Sequence, residues 1–530
     1  MEAELIIVNA RVHTVDEEMP YAEAVAVANG RIVAVGDNEQ IRTLATDDTE
    51  EVDAAGRLLL PAFTDAHIHL IEYGLSLGLL HLDQARSIEQ AVDQVAAAAR
   101  TNEPGTWIRG LGWNRNLWPG SPLPTRQQLD RVAPHHPVML DSKDLHAAWL
   151  NSAALALAGI TAETPDPPGG VIVRDSATGE PTGVLQEGPA IKLVTERIPP
   201  PGPEQHRKAI AEATRELHRQ GIAAVHVPEG RRKLTAVMEC WLRHELELRV
   251  LWMVAAEDLP GLANAGVRSG FGDDWLRLGP VKAFADGALG SRTADMNAPY
   301  EGDGDNRGVE VQSTEQLSAV VEYCTLHNWS VAIHAIGDRA NSRVLDALED
   351  HWHQWTSRYL RPRIEHVQLL APEDLPRLGA MGVVASMQPI HCPSDWEMAE
   401  ARWGKRCSGS YAWRSLLESG AAVAFGSDAP VEEPSVLKGL YAAVTRQRED
   451  GQPAGGWYPE QRLSLSDAIH CYTMGAAYAA ALERESGSIG VGKHADMILL
   501  SQDVFSLPPA ALLETRVEMT LIAGQVVHGG

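Results

Sequence analysis

The chain is poor in the features that define several large function classes. It has 5 cysteines in 530 residues, at Cys240, Cys324, Cys392, Cys407 and Cys471, and no CxxC pair. An odd, scattered set excludes a disulfide-stapled scaffold and reads as free thiols in a reducing compartment. No apolar run reaches the roughly 18 residues that a membrane helix needs. A basic leader followed by an apolar stretch is also missing: the N-terminus reads Met1-Glu2-Ala3-Glu4-Leu5. No signal peptide is therefore expected, and a cytoplasmic location follows by default. Positive charge is scarce, with 45 Lys and Arg against 71 Asp and Glu and a formal net charge of −26. That balance excludes nucleic acid and anionic membrane as expected partners, because phosphate binding needs a basic surface. A Gly-rich GxGxxG loop is absent, so nothing supports a dinucleotide-binding open sheet.

What is present points to a large α/β enzyme. The length exceeds one ordinary core, which favours a large barrel plus an accessory domain. Apolar residues make up 44%, enough for a core without staples. Short β-rich stretches occupy both ends: Leu5 to Val8, Ala24 to Val27 and Arg31 to Val35, then Asp496 to Leu500, Glu518 to Ile522 and Gln525 to Val527. Asn29-Gly30 and Ala523-Gly524 supply hairpin turns. We expect one composite β-sandwich from residues 1–58 and 486–530. Between them, residues 59–485 alternate apolar strands with amphipathic helices. Eight strands are expected at Phe63–His69, Ile222–Val227, Leu248–Val254, Gly279–Ala285, Ser330–Ala335, Arg363–Val367, Gly382–Met387 and Ala422–Asp428. Eight such units predict a closed (β/α)₈ TIM-type barrel, the fold class being α/β. One insertion, at about 72–205, holds Trp107, Trp113, Trp118, Trp149 and Pro167-Pro168-Gly169-Gly170. It follows the first strand, on the catalytic face of such a barrel, and is expected to cover the active site.

The chemistry gathers at strand ends. Asp65-Ala66-His67-Ile68-His69 closes the first apolar run, and residues i and i+2 of a strand point the same way, so His67 and His69 can reach one metal. Alone, an HxH pair is more often a solvated or core pair. Lys282, His334, His366 and Asp428, however, each terminate a further expected barrel strand on the same side. Polar residues there read as catalytic, and imidazole with carboxylate suits zinc. Lys282 needs a separate argument, because an ammonium repels a dication. It can join such a site only as a neutral amine or as the carbamate formed with carbon dioxide; the plain reading is a barrel lysine paired with Asp286.

These motifs together resemble the amidohydrolase 3 branch of the amidohydrolase superfamily, which includes N-substituted formamide deformylases. The resemblance runs through Pro61-Ala62-Phe63-Thr64-Asp65-Ala66-His67-Ile68-His69 and Val281-Lys282-Ala283-Phe284-Ala285-Asp286-Gly287. It continues through Ile333-His334-Ala335-Ile336-Gly337-Asp338, Arg363-Ile364-Glu365-His366 and Gly426-Ser427-Asp428-Ala429-Pro430. The tail Gly487-Ser488-Ile489-Gly490 to Asp496 belongs to the same pattern. The resemblance implies that His67, His69 and Asp428 hold a first metal, His334 and His366 a second, and a carbamylated Lys282 bridges them. It further implies that Asp428 takes a proton from the attacking water and passes one to the leaving group. A homodimer is implied by the resemblance alone.

Weaker candidates lie mostly in the insertion. Glu187 is an additional carboxylate for the metals or a solvated side chain. His146, in Asp144-Leu145-His146-Ala147, resembles a substrate-contacting position and is a candidate donor to the oxyanion. Trp113 and Asn114 are candidate pocket walls, although tryptophan is more often packing. Arg292 and Asp338 are candidate braces of the site, Arg292 also as a substrate contact. The expected activity is hydrolysis of an amide-type C–N bond in a small molecule, with about two zinc ions. The alternatives are a deaminase of the same superfamily, disfavoured because Ala335-Ile336-Gly337-Asp338 offers no glutamate after His334, and an inactive binding protein, which would have lost a ligand.

Overall fold

The computed structural model describes residues 2–143 and 147–529, which fall into two compact units. One comprises residues up to Gly74 together with those from His206 onward; the other spans Leu75–Gln205.

The first unit contains eight parallel strands in one sheet: β1 (Phe63–Asp65), β2 (Ile222–Val227), β3 (Arg249–Ala255), β4 (Leu276–Phe284), β5 (Val331–Ala335), β6 (Arg363–His366), β7 (Val384–Met387) and β8 (Val423–Phe425). They neighbour one another in sequence order, each parallel to the last, as right-handed β–α repeats require. The eight expected strands are all present. The sheet curls into a nearly closed barrel whose first and last strands meet through the Ala66 N–H donating to the Phe425 carbonyl at 3.0 Å. Beyond the strand ends, the Asp428 N–H donates to the His67 carbonyl at 2.7 Å. The strand interiors are mostly Val, Ile and Ala, as expected of strands buried on both faces.

Two further sheets draw on both ends of the chain. A four-stranded sheet orders Arg31–Gly36, Ala24–Ala28, Leu5–Val8 and Glu50–Asp53. A six-stranded sheet orders Gln525–Gly529, Val517–Ile522, Met497–Leu500, Leu58–Pro61, Arg11–His13 and Tyr21–Ala22. Leu5, Ile7, Val25, Leu59, Met497, Leu499 and Leu521 form one buried cluster between them. Both hairpin turns adopt left-handed backbone, Asn29 and Gly30 at φ 51° and 70°, Ala523 and Gly524 at 50° and 75°. A mirror-type turn of this kind matches strand twist.

The apolar run from Leu58 is shared between two sheets. Leu58–Pro61 pairs antiparallel with Met497–Leu500, and only Phe63–Asp65 enters the barrel. The first barrel strand is therefore shorter than expected, and His67 and His69 stand in the turn beyond it. Their convergence does not come from strand alternation. It comes from the closure contacts, which fix the 66–69 backbone against residues 425–429.

The Leu75–Gln205 unit is a mixed six-stranded sheet in the order Val171–Arg174, Pro181–Gln186, Ala147–Leu150, Val138–Ser142, Ile108–Trp113 and Leu80–His81. Helices Ile88–Thr101, Arg126–Asp130, Ser152–Ala158 and Gly188–Thr195 accompany it. Trp113, Trp118 and Trp149 are buried in one cluster. Each indole N–H finds a carbonyl: Trp113 to Leu140 at 2.8 Å, Trp118 to Ala85 at 3.1 Å and Trp149 to Thr125 at 2.9 Å. Among the described residues, no helix is long and apolar enough to cross a membrane. Trp149→Ala should destabilise this unit by about 3–5 kcal/mol through a cavity and an orphaned carbonyl, read as a lowered midpoint in urea denaturation.

Candidate metal centre

The barrel gathers polar side chains at the carboxyl ends of its strands. His67 and His69 follow β1, Lys282 lies near the end of β4, His334 in β5, His366 ends β6 and Asp428 follows β8. Donor atoms of His67, His69 and Asp428 lie within 4.8 Å of one another. Asp428 Oδ1 is 3.3 Å from His69 Nε2 and 3.6 Å from His67 Nε2. The His366 ring lies between two neighbours, 4.9 Å from His67 and 4.6 Å from His334 by ring centroids. Five of the six expected ligand residues are thus linked in one chain of contacts, and the sixth, Lys282, is buried with no hydrogen-bond partner for Nζ.

Three of the imidazoles are oriented from behind. The His67 Nδ1–H donates to Glu365 Oε2 at 2.5 Å, the His366 Nδ1–H to Gln388 Oε1 at 2.9 Å, and the His334 Nε2–H to the Gly287 carbonyl at 2.9 Å. An acceptor behind one ring nitrogen leaves a lone pair on the other, the tautomer a metal requires. Burial keeps these rings neutral. It lowers His67 against the opposing pull of Glu365, takes His366 well below the usual range with His334 reinforcing it, and brings His334 down to about 3 with Lys282 adding to the effect.

The carboxylates divide by environment. Burial would raise Asp428, but the hydrogen bond from His69 leads the contacts that outweigh it and bring the group below its ordinary value. Burial likewise opposes the charge of Glu365, and Arg363 and His67 overcome it, so Glu365 lies well below the ordinary range. Asp65 and Asp286 have no such partner, and burial pushes each up to about 7. Lys282 comes down to about 8, burial outweighing the attraction of Glu365 and Asp428. It does not pair with Asp286, whose oxygens accept the backbone N–H groups of Gly337, Asp295 and Ile336 at 2.8–3.0 Å.

Local backbone is bent to aim the ligands. Asp428 has φ 59° and His366 φ 76°, left-handed values that cost a non-glycine residue about 1–3 kcal/mol. Closure secures Asp428: Asp65 accepts the Ser427 N–H at 3.0 Å and its hydroxyl at 2.6 Å, and the His67 N–H at 3.1 Å. Gly426 permits this approach, since a Cβ there would stand 2.5 Å from His67 N.

This donor set fits a divalent metal. It offers neutral imidazoles, an ionised carboxylate and a buried amine of lowered basicity that has no hydrogen-bond partner and lies 4.8 Å from the Phe284 ring centroid; a neutral amine is the form that reacts with carbon dioxide. Several contributors escaped the reading of the sequence. Arg363, Glu365 and Gln388 stand behind the imidazoles, and His391, the first residue of the helix His391–Trp403, has a donor atom within 4.8 Å of His366 and Asp428. The seventh strand showed no strand-end ligand within its own run; Gln388 and His391 follow immediately after it.

The weaker candidates are placed as follows. Arg292 is mostly engaged with Asp303 at 3.0 Å, and Asp338 accepts the N–H of Asn297 at 2.8 Å. Trp113, Asn114 and Glu187 come together in the Leu75–Gln205 unit, lining a cleft of about 540 Å³ with Arg115, Ser142 and Gln186. Glu187 precedes the helix Gly188–Thr195 at φ 66°. His146 lies outside the described residues.

The sequence profile of the Amidohydrolase family matches residues 50–528, so the chain belongs to that family. It is a metal-dependent hydrolase by class. It is similar to the putative amidohydrolase YtcJ of Bacillus subtilis, at 34% identity over 98% of this chain and 98% of the relative. It is similar also to an N-substituted formamide deformylase of Arthrobacter pascens, at 28% identity over 98% of this chain and 97% of the relative. A solved metal-dependent hydrolase of Pyrococcus furiosus superposes with a TM-score of 0.77 at 27% identity, covering 96% of this chain and 99% of that one.

Glu365→Ala removes the acceptor behind His67 and strands Arg363 in the barrel. Metal affinity should fall about 10–100-fold, measured by titrating metal into metal-free protein, and stability by about 3–5 kcal/mol.

Proposed function

We propose that this hydrolase cleaves an amide-type C–N bond, other than a peptide bond, in a small uncharged or weakly polar molecule. The observation that carries the reading is the convergence of His67, His69 and Asp428 with the His366–His334 pair, together with a buried Lys282 whose amine has no hydrogen-bond partner. The proposed cofactor is zinc, two ions per chain, with Lys282 carbamylated. When bound, such ions lower the pKa of water and polarise the scissile carbonyl.

The chain's own residues supply the proton traffic. Asp428, ionised at neutral pH, accepts the proton of the water that adds to the carbonyl carbon. It returns that proton to the departing nitrogen as the C–N bond breaks, giving a carboxylic acid and an amine. The neutral imidazoles of His67, His334 and His366 serve as ligands and not as proton carriers, since burial opposes their protonation. The similarity to the Arthrobacter deformylase makes N-substituted formamides the first compounds to test.

The test is a panel of N-formyl, N-acyl, cyclic amide and carbamate compounds, followed by amine release from protein of known metal content. Release of ammonia from aminated heterocycles alone would replace this reading with a deaminase. Elemental analysis should find about two zinc-like ions per chain, and a stoichiometry near one would remove the bridging role of Lys282. Reconstitution of metal-free protein should take up more metal with bicarbonate present than without it. Asp428→Asn should lower turnover by about 10²–10⁴-fold, with substrate affinity largely kept.

A further inference from the structure

His69 stands where a helix cap belongs, and its imidazole is engaged elsewhere. The helix Leu70–Leu77 begins at the next residue, and the His69 carbonyl accepts the Tyr73 N–H at 2.8 Å, the first bond of that helix. A Ser, Thr, Asp or Asn at such a position accepts a hydrogen bond from the second or third residue of the helix. The His69 side chain instead turns toward Asp428, with Nε2 3.3 Å from Oδ1. The cap comes from another strand. Glu229 follows β2 by two residues, and its side chain is 1% exposed. Its Oε2 accepts the Ile71 N–H at 2.9 Å, and its Oε1 accepts the Glu72 N–H at 3.2 Å and the Lys233 ammonium at 2.8 Å. Backbone amides and an ammonium can only donate, so Glu229 is an acceptor on both oxygens. Among the described residues it belongs to none of the candidate ligand groups.

We propose that Glu229 is a positioning residue for His69: it caps the helix in place of His69 and so leaves the imidazole free for, and aimed at, the metal. The proposal rests on the metal-dependent hydrolase reading above. A carboxylate suits the place because the first turn of a helix carries unsatisfied N–H groups and partial positive charge. Lys233 balances the buried charge. The turn that carries His69 is held at three points. The Ile68 N–H donates to the His226 carbonyl of β2 at 3.1 Å, the His69 N–H donates to the Ala429 carbonyl at 2.9 Å, and Glu229 takes the amides of Ile71 and Glu72. Of these three, only the last depends on a side chain. Its loss frees the start of the helix, and with it the direction of His69, while the barrel's own backbone contacts remain.

The test uses the full chain, freed of metal and titrated with cobalt, whose visible absorption reports ligand geometry. Glu229→Gln keeps the size but leaves one acceptor oxygen and no partner charge for Lys233. Glu229→Asp keeps a carboxylate on a shorter stem. Leu378→Ala, at a fully buried position of the helix Leu375–Met381, is a control of lowered stability away from the turn. The capped helix has a second anchor in every variant, since it lies directly on the helix Pro203–Arg219: a Cβ on Gly74 would stand 2.0 Å from the Ala209 carbonyl oxygen. The expected result is cobalt affinity about 10-fold weaker in Glu229→Gln with a shifted spectrum, a smaller loss in Glu229→Asp, and wild-type affinity and spectrum in Leu378→Ala. Should Glu229→Gln fail to fold, Glu229→Asp carries the test, because its shorter reach should still weaken cobalt binding and shift the spectrum. Wild-type affinity and spectrum in the Glu229 variant would overturn the proposal and leave the hydrolase reading standing. An equal loss in Leu378→Ala would overturn it too, by making the effect one of general stability. A wild type that takes up no cobalt defeats the hydrolase reading itself, and this proposal with it.

Discussion

Arg363 and Glu365 alternate on β6, and neither exposes any surface. Taking two such charges out of water costs several kcal/mol each, and attraction offsets that only when the remaining hydrogen-bonding positions are filled. Here Arg363 Nε and Glu365 Oε1 face each other at 2.5 Å, and the other positions are filled from around the barrel. The guanidinium reaches His226 of β2 at 2.9 Å, the Ala66 carbonyl beyond β1 at 2.7 Å and Ser386 of β7 at 2.6 Å, while Glu365 accepts from His67. One ion pair thereby fastens four strands and sets the tautomer of a metal-ligand histidine. An apolar pair of equal volume could match its stability, so its particular contribution is position: nothing apolar can hold Nδ1 of His67.

The electrostatics of the centre follow from the same burial. Low polarity penalises every charge, and groups keep theirs only where a partner answers it. Asp428 and Glu365 have such partners and stay ionised; Asp65 and Asp286 lack them and rise to about 7. The imidazoles lose basicity and become ligands. Lys282 is caught between the two cases, drawn toward neutrality by burial with two carboxylates too distant to hydrogen-bond it. The centre is thus a set of lone pairs beside the ionised Asp428, with the ionised Glu365 behind His67.

Much of this was readable in the sequence. The barrel strands carried short apolar runs separated by helical stretches, and their polar termini stood out because a parallel strand buried on both faces has no other reason to end in His, Lys or Asp. What could not be read was the support behind them. Arg363 and Glu365 looked like ordinary strand residues, because their inward direction depends on register. The Leu75–Gln205 sheet was hidden by its prolines, glycines and tryptophans, which broke the periodicity that strands usually show. His391 was missed because it begins a helix three residues beyond Gln388, and a search confined to strand ends passes over it. The expectation that strand alternation aligns His67 with His69 failed for a related reason: the strand stops at Asp65, and the barrel's closure does the aligning.

That closure joins residues very far apart along the chain, Asp65 to Ser427 being 362 positions distant. Ordering so long a loop carries an entropic cost that grows only slowly with its length, and a clip across its base recovers a large share of it. An ion held by His67, His69 and Asp428 would sit directly on this seam. It would act there as a reversible crosslink between the two edges of the barrel, in the way a disulfide ties a long loop. Chelation would then loosen the cylinder as well as silence its chemistry, and the same ion would serve as reagent and as rivet.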